Sequence, residues 1–247
     1  MRRAMTYLVI VGALPASLSA QTLQQRVAAV PSGPVHLSYP ARPGVCGDGS
    51  NRISTDGRND EWEAECESRP VRVALRLQNH RVIGISTYVG GRWRPNSAAT
   101  DLGTVRPQEA AAYFLELAGS SADLDGDPVL PATLADSITI WPSLLRLARA
   151  THLPQETRRS AVFWLAQAAG KAPAIALDSI ARDDRGDREI RKQAVFALSQ
   201  RPDHDGVPAL IRIARSKADP QLRKTALFWL GQSEDPRALD LFEEILR

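Results

Sequence analysis

Arg191-Lys192-Gln193-Ala194-Val195-Phe196-Ala197-Leu198-Ser199-Gln200 is the central copy of a stretch that the chain writes three times. The earlier copy is Arg158-Arg159-Ser160-Ala161-Val162-Phe163-Trp164-Leu165-Ala166-Gln167. The later one is Arg223-Lys224-Thr225-Ala226-Leu227-Phe228-Trp229-Leu230-Gly231-Gln232. Ala161 to Ala194 is 33 residues and Ala194 to Ala226 is 32. A fixed period of that length predicts stacked helix pairs, each burying its apolar face against its neighbours. A second motif keeps the same beat, as Leu147-Ala148-Arg149, Ile180-Ala181-Arg182, Ile213-Ala214-Arg215 and Ile245-Leu246-Arg247. Both helices of each unit therefore repeat. The segment 107–150 reads as a divergent, expanded first copy, and the sequence ends within the last helix. The expectation for 107–247 is a mainly α fold, an α-solenoid of about four helix pairs.

Placing the central copy on a helix separates its residues by role. A helix advances about 100° per residue. With Ile190 at zero, Ala194, Ala197 and Leu198 fall within about 80° of it and form the stripe to be buried. Phe196 falls near 240°, with Lys192 near 200° and Gln200 near 280°, so these three share another face. The triplet repeats as Arg159, Phe163, Gln167 and as Lys224, Phe228, Gln232. An array needs its Ala and Leu positions for stacking. It has no obvious need for an outward Phe. One reading is a partner-binding ridge, in which the rings supply apolar area and the bases set orientation. Two structural readings compete: each Phe packs on a neighbouring repeat, or the N-terminal region folds over the ridge. Trp164 and Trp229 sit nearer the buried stripe and read as core.

The pattern Asp187-x-x-x-Arg191-x-x-Ala194-x-x-x-Leu198-x-Gln200, matched by Asp219-x-x-x-Arg223-x-x-Ala226-x-x-x-Leu230-x-Gln232, resembles HEAT repeats of the short type first named from phycobiliprotein lyases. The Asp is placed to cap the helix amino end. In the copy at Arg158 that position is Pro154. The resemblance covers about 108–247 and implies an armadillo-type superhelix with a protein-binding role. It implies no lyase activity.

Upstream the period changes. Val71, Val73, Leu75 and Leu77 alternate with Arg72, Ala74, Arg76 and Gln78, which predicts a strand buried on one face. Asn79-His80 fits a two-residue turn, since Asn tolerates a positive φ. The segment 82–89 returns as a second strand, and Val35 to Tyr39 alternates as a third. These predict a small antiparallel β region within 21–100. Trp62, Ala64 and Cys66 alternate with Glu63, Glu65 and Glu67. Cys46 and Cys66 are the two cysteines of the chain. In an exported protein they are expected to form a disulfide that ties off the loop between them.

Export is expected from the first residues. Arg2 and Arg3 precede an apolar run from Tyr7 to Leu14 and a small-residue region ending at Ala20, so 1–20 reads as a signal peptide. No cysteine sits at the expected junction after Ala20, which argues against a lipid anchor. No other apolar run is long enough to span a bilayer. Two of the +3 net charges belong to Arg2 and Arg3. The rest of the chain is nearly neutral, which argues against nucleic acid as a partner.

Chemistry-bearing motifs are sparse. Asp123-Leu124-Asp125-Gly126-Asp127 has the opening of a calcium loop, but Pro128 and Leu134 stand where that loop needs Gly and Glu. His36, His80, His152 and His204 lack ligand spacing. No cofactor, metal or catalytic residue is expected. The expected function is therefore non-enzymatic binding of another protein, in the periplasm or outside the cell, with a homodimer conceivable through Leu239, Phe242 and Ile245. The alternative is an enzyme accessory or an envelope polysaccharide-binding protein using the β region, with Trp62 and Trp93 on its surface.

Overall fold

A computed structural model describes residues 21–50, 52–55, 69–94, 98–120, 124–216 and 219–247. The expected signal peptide, Trp62, the alternating glutamates and Cys66 lie outside these residues, and so does the expected disulfide. The N-terminal elements are α1 (Leu23–Ala28), β1 (Gly33–Tyr39), β2 (Cys46–Gly47), β3 (Ile53–Ser54), β4 (Val71–Gln78), β5 (Arg81–Val89) and β6 (Thr100–Thr104). Helices follow: α2 (Pro107–Ser120), α3 (Leu130–Thr133), α4 (Trp141–Arg149), α5 (Gln155–Gln167), α6 (Lys171–Ala181) and α7 (Arg188–Ser199). After a 3-10 turn at Pro202–His204 come α8 (Val207–Arg215), α9 (Pro220–Gly231) and α10 (Pro236–Leu246).

The main sheet has the order β5-β4-β1-β6. In β4 the apolar half of the alternation, Val71, Val73, Leu75 and Leu77, is buried. Asn79 and His80 join β4 to β5 with φ of 52° and 60°, the two left-handed residues that a tight hairpin turn requires. Antiparallel pairing holds for β5-β4 and β4-β1. It fails at β6, which runs parallel to β1. The expected antiparallel region is therefore a mixed sheet, and it extends past residue 100. Thr100-Asp101-Leu102-Gly103-Thr104 carries no period-two apolar pattern because the strand is mostly exposed.

There are two cores. One holds the buried sheet face with α1, α3 and most of the buried face of α2, including Tyr39 and Phe114. The Tyr39 hydroxyl donates to the Pro131 carbonyl at 2.6 Å, which ties β1 to α3. The other core runs from α4 to α10. Helix α2, expected as part of the first repeat, thus sends Ala110, Ala111 and Phe114 into the sheet core and Ala118 into the helical one.

From α4 onward the helices form two rows. Helices α5, α7 and α9 pack side by side, and α4, α6, α8 and α10 form the second row against them. The stripe expected from the wheel is the one buried: Ile190, Ala194, Ala197 and Leu198 are all in the helical core. Small Ala at the contact positions lets the helix axes approach closely, and Leu fills the remaining volume.

Buried arginines join one unit to the next. Arg158 donates from Nε to the Ala148 carbonyl at 3.2 Å and from Nη1 to Asp187 Oδ2 at 3.3 Å. One repeat on, Arg191 donates to the Ala181 carbonyl at 3.1 Å and pairs with Asp219 Oδ2 at 3.2 Å. Each Asp also caps the helix it begins: Asp187 Oδ1 accepts from Glu189 and Ile190 N–H, and Asp219 Oδ1 from Gln221 and Leu222 N–H. Pro154 removes an acceptor from the upstream direction only, so Arg158 keeps its downstream partner.

Arg201 adds a contact that does not repeat. Its side chain is fully buried. It donates to the carbonyls of Ala166 at 3.0 Å and Gly170 at 2.6 Å, and pairs with Asp205 at 3.2 Å. It therefore clamps the carboxyl end of α5 to the turn after α7, satisfying carbonyls that a helix end leaves open.

These contacts are costly to break singly, and they set the acid limit of the stack. Arg201→Ala strands buried carbonyls and Asp205, and should cost about 3–5 kcal/mol, read as a lowered midpoint in urea unfolding. Backbone N–H donors hold Asp187 and Asp219 below their ordinary range, and the Arg237 guanidinium holds Asp235 down at about 2. A lowered folded-state pKa means stabilisation that is complete above the ordinary value of 3.8 and is lost as pH falls toward 2. Thermal unfolding followed by circular dichroism should be flat down to about pH 4 and fall below it. Asp219→Asn keeps the cap but not the charge, so it should lower stability at neutral pH and flatten that fall.

Candidate functional site

The nine ridge residues sit on α5, α7 and α9, one triplet per helix. In each helix the base is the fifth residue, and the Phe follows one turn later. Phe163 is 45% exposed and Phe228 57%. Gln167, Gln200, Lys224 and Gln232 are exposed, while Arg159, Lys192 and Phe196 are half-buried. The sheet unit does not cover Phe163 or Phe228.

The difference between Phe196 and the outer two has a visible cause. Phe196 lies against Trp229 of the next helix, with ring centroids 5.1 Å apart. Trp229 meets Phe228 edge-on at 5.0 Å, so Phe196, Trp229 and Phe228 form a continuous run of rings. The residue in α7 equivalent to Trp229 is Ala197, which has no ring to offer Phe163. Phe163 meets only Trp164 of its own helix, at 5.0 Å. No further unit follows Phe228 within the described residues. The middle ring thus packs on a neighbouring repeat, while the outer two face solvent. Trp164 is buried as expected, whereas Trp229 is only half-buried.

Charge along the row is uneven. Lys192 pairs with Glu189 at 2.8 Å, and that bond holds the Glu189 carboxyl below its usual range. Arg159 keeps a buried Nε without a partner. Lys224 is exposed and has no ion pair among the described residues. The second row is different. Arg182 and Arg212 share the buried Asp178, at 2.8 and 3.0 Å, and Arg215 pairs with Glu244. Unpaired bases also occur in the second row, where Arg146 and Arg149 of α4 bond to Ser143 and Ser179 rather than to carboxylates.

The other candidates dissolve into structure. Asp127 caps a turn, accepting from Val129 N–H at 2.8 Å and from Ser160 Oγ at 2.7 Å, while Asp125 pairs with Arg76. No group of three or more metal-ligating side chains occurs among the described residues, and none of their helices is long and apolar enough to cross a membrane. Trp93 stacks flat on His36 with centroids 3.8 Å apart, so one face of its indole is already used. On α10, Leu239, Ile245 and Leu246 are exposed. Exposure alone does not support the expected homodimer.

This arrangement defines a class: a repeat protein whose helices pack in two rows joined by a polar ladder. Residues 176–247 match the family model described as HEAT repeats. The match runs from within α6 to the end of the sequence given, and HEAT repeats generally serve as protein-interaction modules. No curated protein and no solved structure matches the chain.

Serine substitutions separate packing from surface. Phe163→Ser and Phe228→Ser should each change unfolding free energy by less than about 1 kcal/mol. Phe196→Ser removes a ring packed at a tilt against Trp229 and should cost about 2 kcal/mol. Denaturant unfolding of the three variants checks the ranking.

Proposed function

We propose that the chain is an exported, non-enzymatic scaffold that binds another protein through the outward faces of α5, α7 and α9, on a HEAT-like α-solenoid. The observation that carries this reading is the exposure of Phe163 and Phe228 beside bases that have no carboxylate partner. Exposed aromatic rings cost hydration free energy when free and release it when a partner covers them. Three helices held in register present such rings at a fixed spacing, so a partner meets a preformed surface and little ordering opposes binding. Aromatic and basic side chains together are what interface centres and their rims favour. The basic start and apolar run of residues 1–20 support export to the periplasm or cell exterior.

The test replaces Phe163 and Phe228 together with Ser. Affinity capture from the native envelope fraction, compared with the unsubstituted chain, should show one protein reduced by about tenfold or more, as expected when two central rings are lost. Unsubstituted and doubly substituted chains recovering that protein equally, with the same thermal stability, would remove the binding role from this face.

A further inference from the structure

Between the sheet unit and the first helices lies a cleft of about 310 Å3. Its apolar walls are Trp141, Trp164, Ile138 and Ile140, and its polar groups include Arg42 and Gln167. Arg42 follows β1 and is anchored at both ends of its residue. Its backbone N–H donates to the Leu134 carbonyl at 2.8 Å, and its Nε to the Thr133 carbonyl at 3.0 Å. The rest of the guanidinium is hardly used. Nη1 reaches only the Pro43 carbonyl, at 3.5 Å, and Nη2 has no hydrogen-bond partner among the described residues. No carboxylate of the described residues pairs with it within salt-bridge distance. Burial pulls its pKa down.

A cation held half out of water without a counter-ion is costly, and the one good side-chain hydrogen bond of Arg42, to the Thr133 carbonyl, offsets only part of that. The neighbouring buried arginines show the contrast: Arg158, Arg191 and Arg201 each have an aspartate. A guanidinium fork presents parallel N–H donors that match a carboxylate. Two indoles and two isoleucines match an apolar body of side-chain size. Such mostly apolar clefts with one or two fixed polar groups, placed where two structural units meet, are where small ligands bind.

We infer that this cleft binds a carboxylate carried on an aromatic or branched apolar group, with Arg42 holding the carboxylate and Trp141 and Trp164 enclosing the apolar part. A free organic acid and the carboxyl terminus of a chain ending in an apolar residue share this chemistry. The inference does not depend on the Phe ridge, although Gln167 borders both.

Tryptophan fluorescence and calorimetry on the full chain test it with 3-phenylpropionate, with N-acetyl-Gly-Gly-Phe bearing a free carboxylate, and with the amide of each. The acid should bind at least about tenfold more tightly than its amide. Arg42→Gln should abolish that preference, and Ile138→Trp, which fills the cleft, should weaken both acids by about tenfold or more. Equal affinity for the two acids assigns the site to free organic acids, and a clear preference for the peptide assigns it to a chain end. The inference is overturned if neither acid binds at millimolar concentration, or if the amides bind as well as the acids. That comparison is made on the unsubstituted chain, so it stands even where Arg42→Gln fails to fold. Loss of partner capture in the double Phe variant leaves this result unchanged, so the two readings fail separately.

Discussion

The units that begin at α7 and α9 each hang on one bidentate use of a carboxylate. Asp187 and Asp219 cap a helix with one oxygen and receive the preceding unit's arginine with the other. Capping satisfies backbone N–H groups that the helix itself cannot pair. The arginine satisfies a carbonyl of the unit behind it and reaches the carboxylate of the unit ahead. A guanidinium buried in this way is costly unless its donors are used, so the contact sets distance and register between units rather than adding much net stability. Apolar packing supplies the stabilisation, and the ladder decides which packing is adopted.

Much of this order is legible in the residue pattern because it repeats. Ala194, Leu198 and Arg191 recur with the same spacing, and that spacing is the length of one helix pair with its turns. The two aspartates are recognisable as caps because each stands four residues before an arginine on the repeat beat, Arg191 or Arg223. Three features leave no such mark. The strand at Thr100–Thr104 turns only Leu102 toward the core, so no alternation reveals it, and its parallel pairing with β1 depends on chain connectivity. Helix α2 divides its buried face between two cores, which a single helical stripe cannot announce. Arg201 gathers carbonyls from residues more than thirty positions earlier, and no repeat equivalent draws attention to it.

The ridge was half legible for a related reason. A helical wheel places Phe163, Phe196 and Phe228 on the same face of their own helices, and that placement holds. It says nothing about what the next helix offers. Trp229 supplies a ring to Phe196, whereas Ala197 supplies none to Phe163, so identical wheel positions end with different exposures. Exposure in a stacked array belongs to pairs of adjacent repeats, and it must be read from position n together with the Trp or Ala position of unit n+1.

That pairwise rule also explains why the cleft lies where it does. Trp164 is the ring that a preceding helix would use, in the way Phe196 uses Trp229. No helix of the α5, α7, α9 row precedes α5, and Ile138 and Ile140 come from the irregular segment before α4, whose first residue is Trp141. An array whose first unit is expanded has a boundary where repeat packing cannot be completed. At that boundary Trp164 keeps its buried position, the loop after β1 brings in Arg42, and the mismatch in shape becomes a cleft with apolar walls and one anchored cation. A site of this kind needs no catalytic residue to arise. It follows from joining a sheet to a periodic stack, and the Arg42 guanidinium brings more donors to the joint than its bond to Thr133 uses.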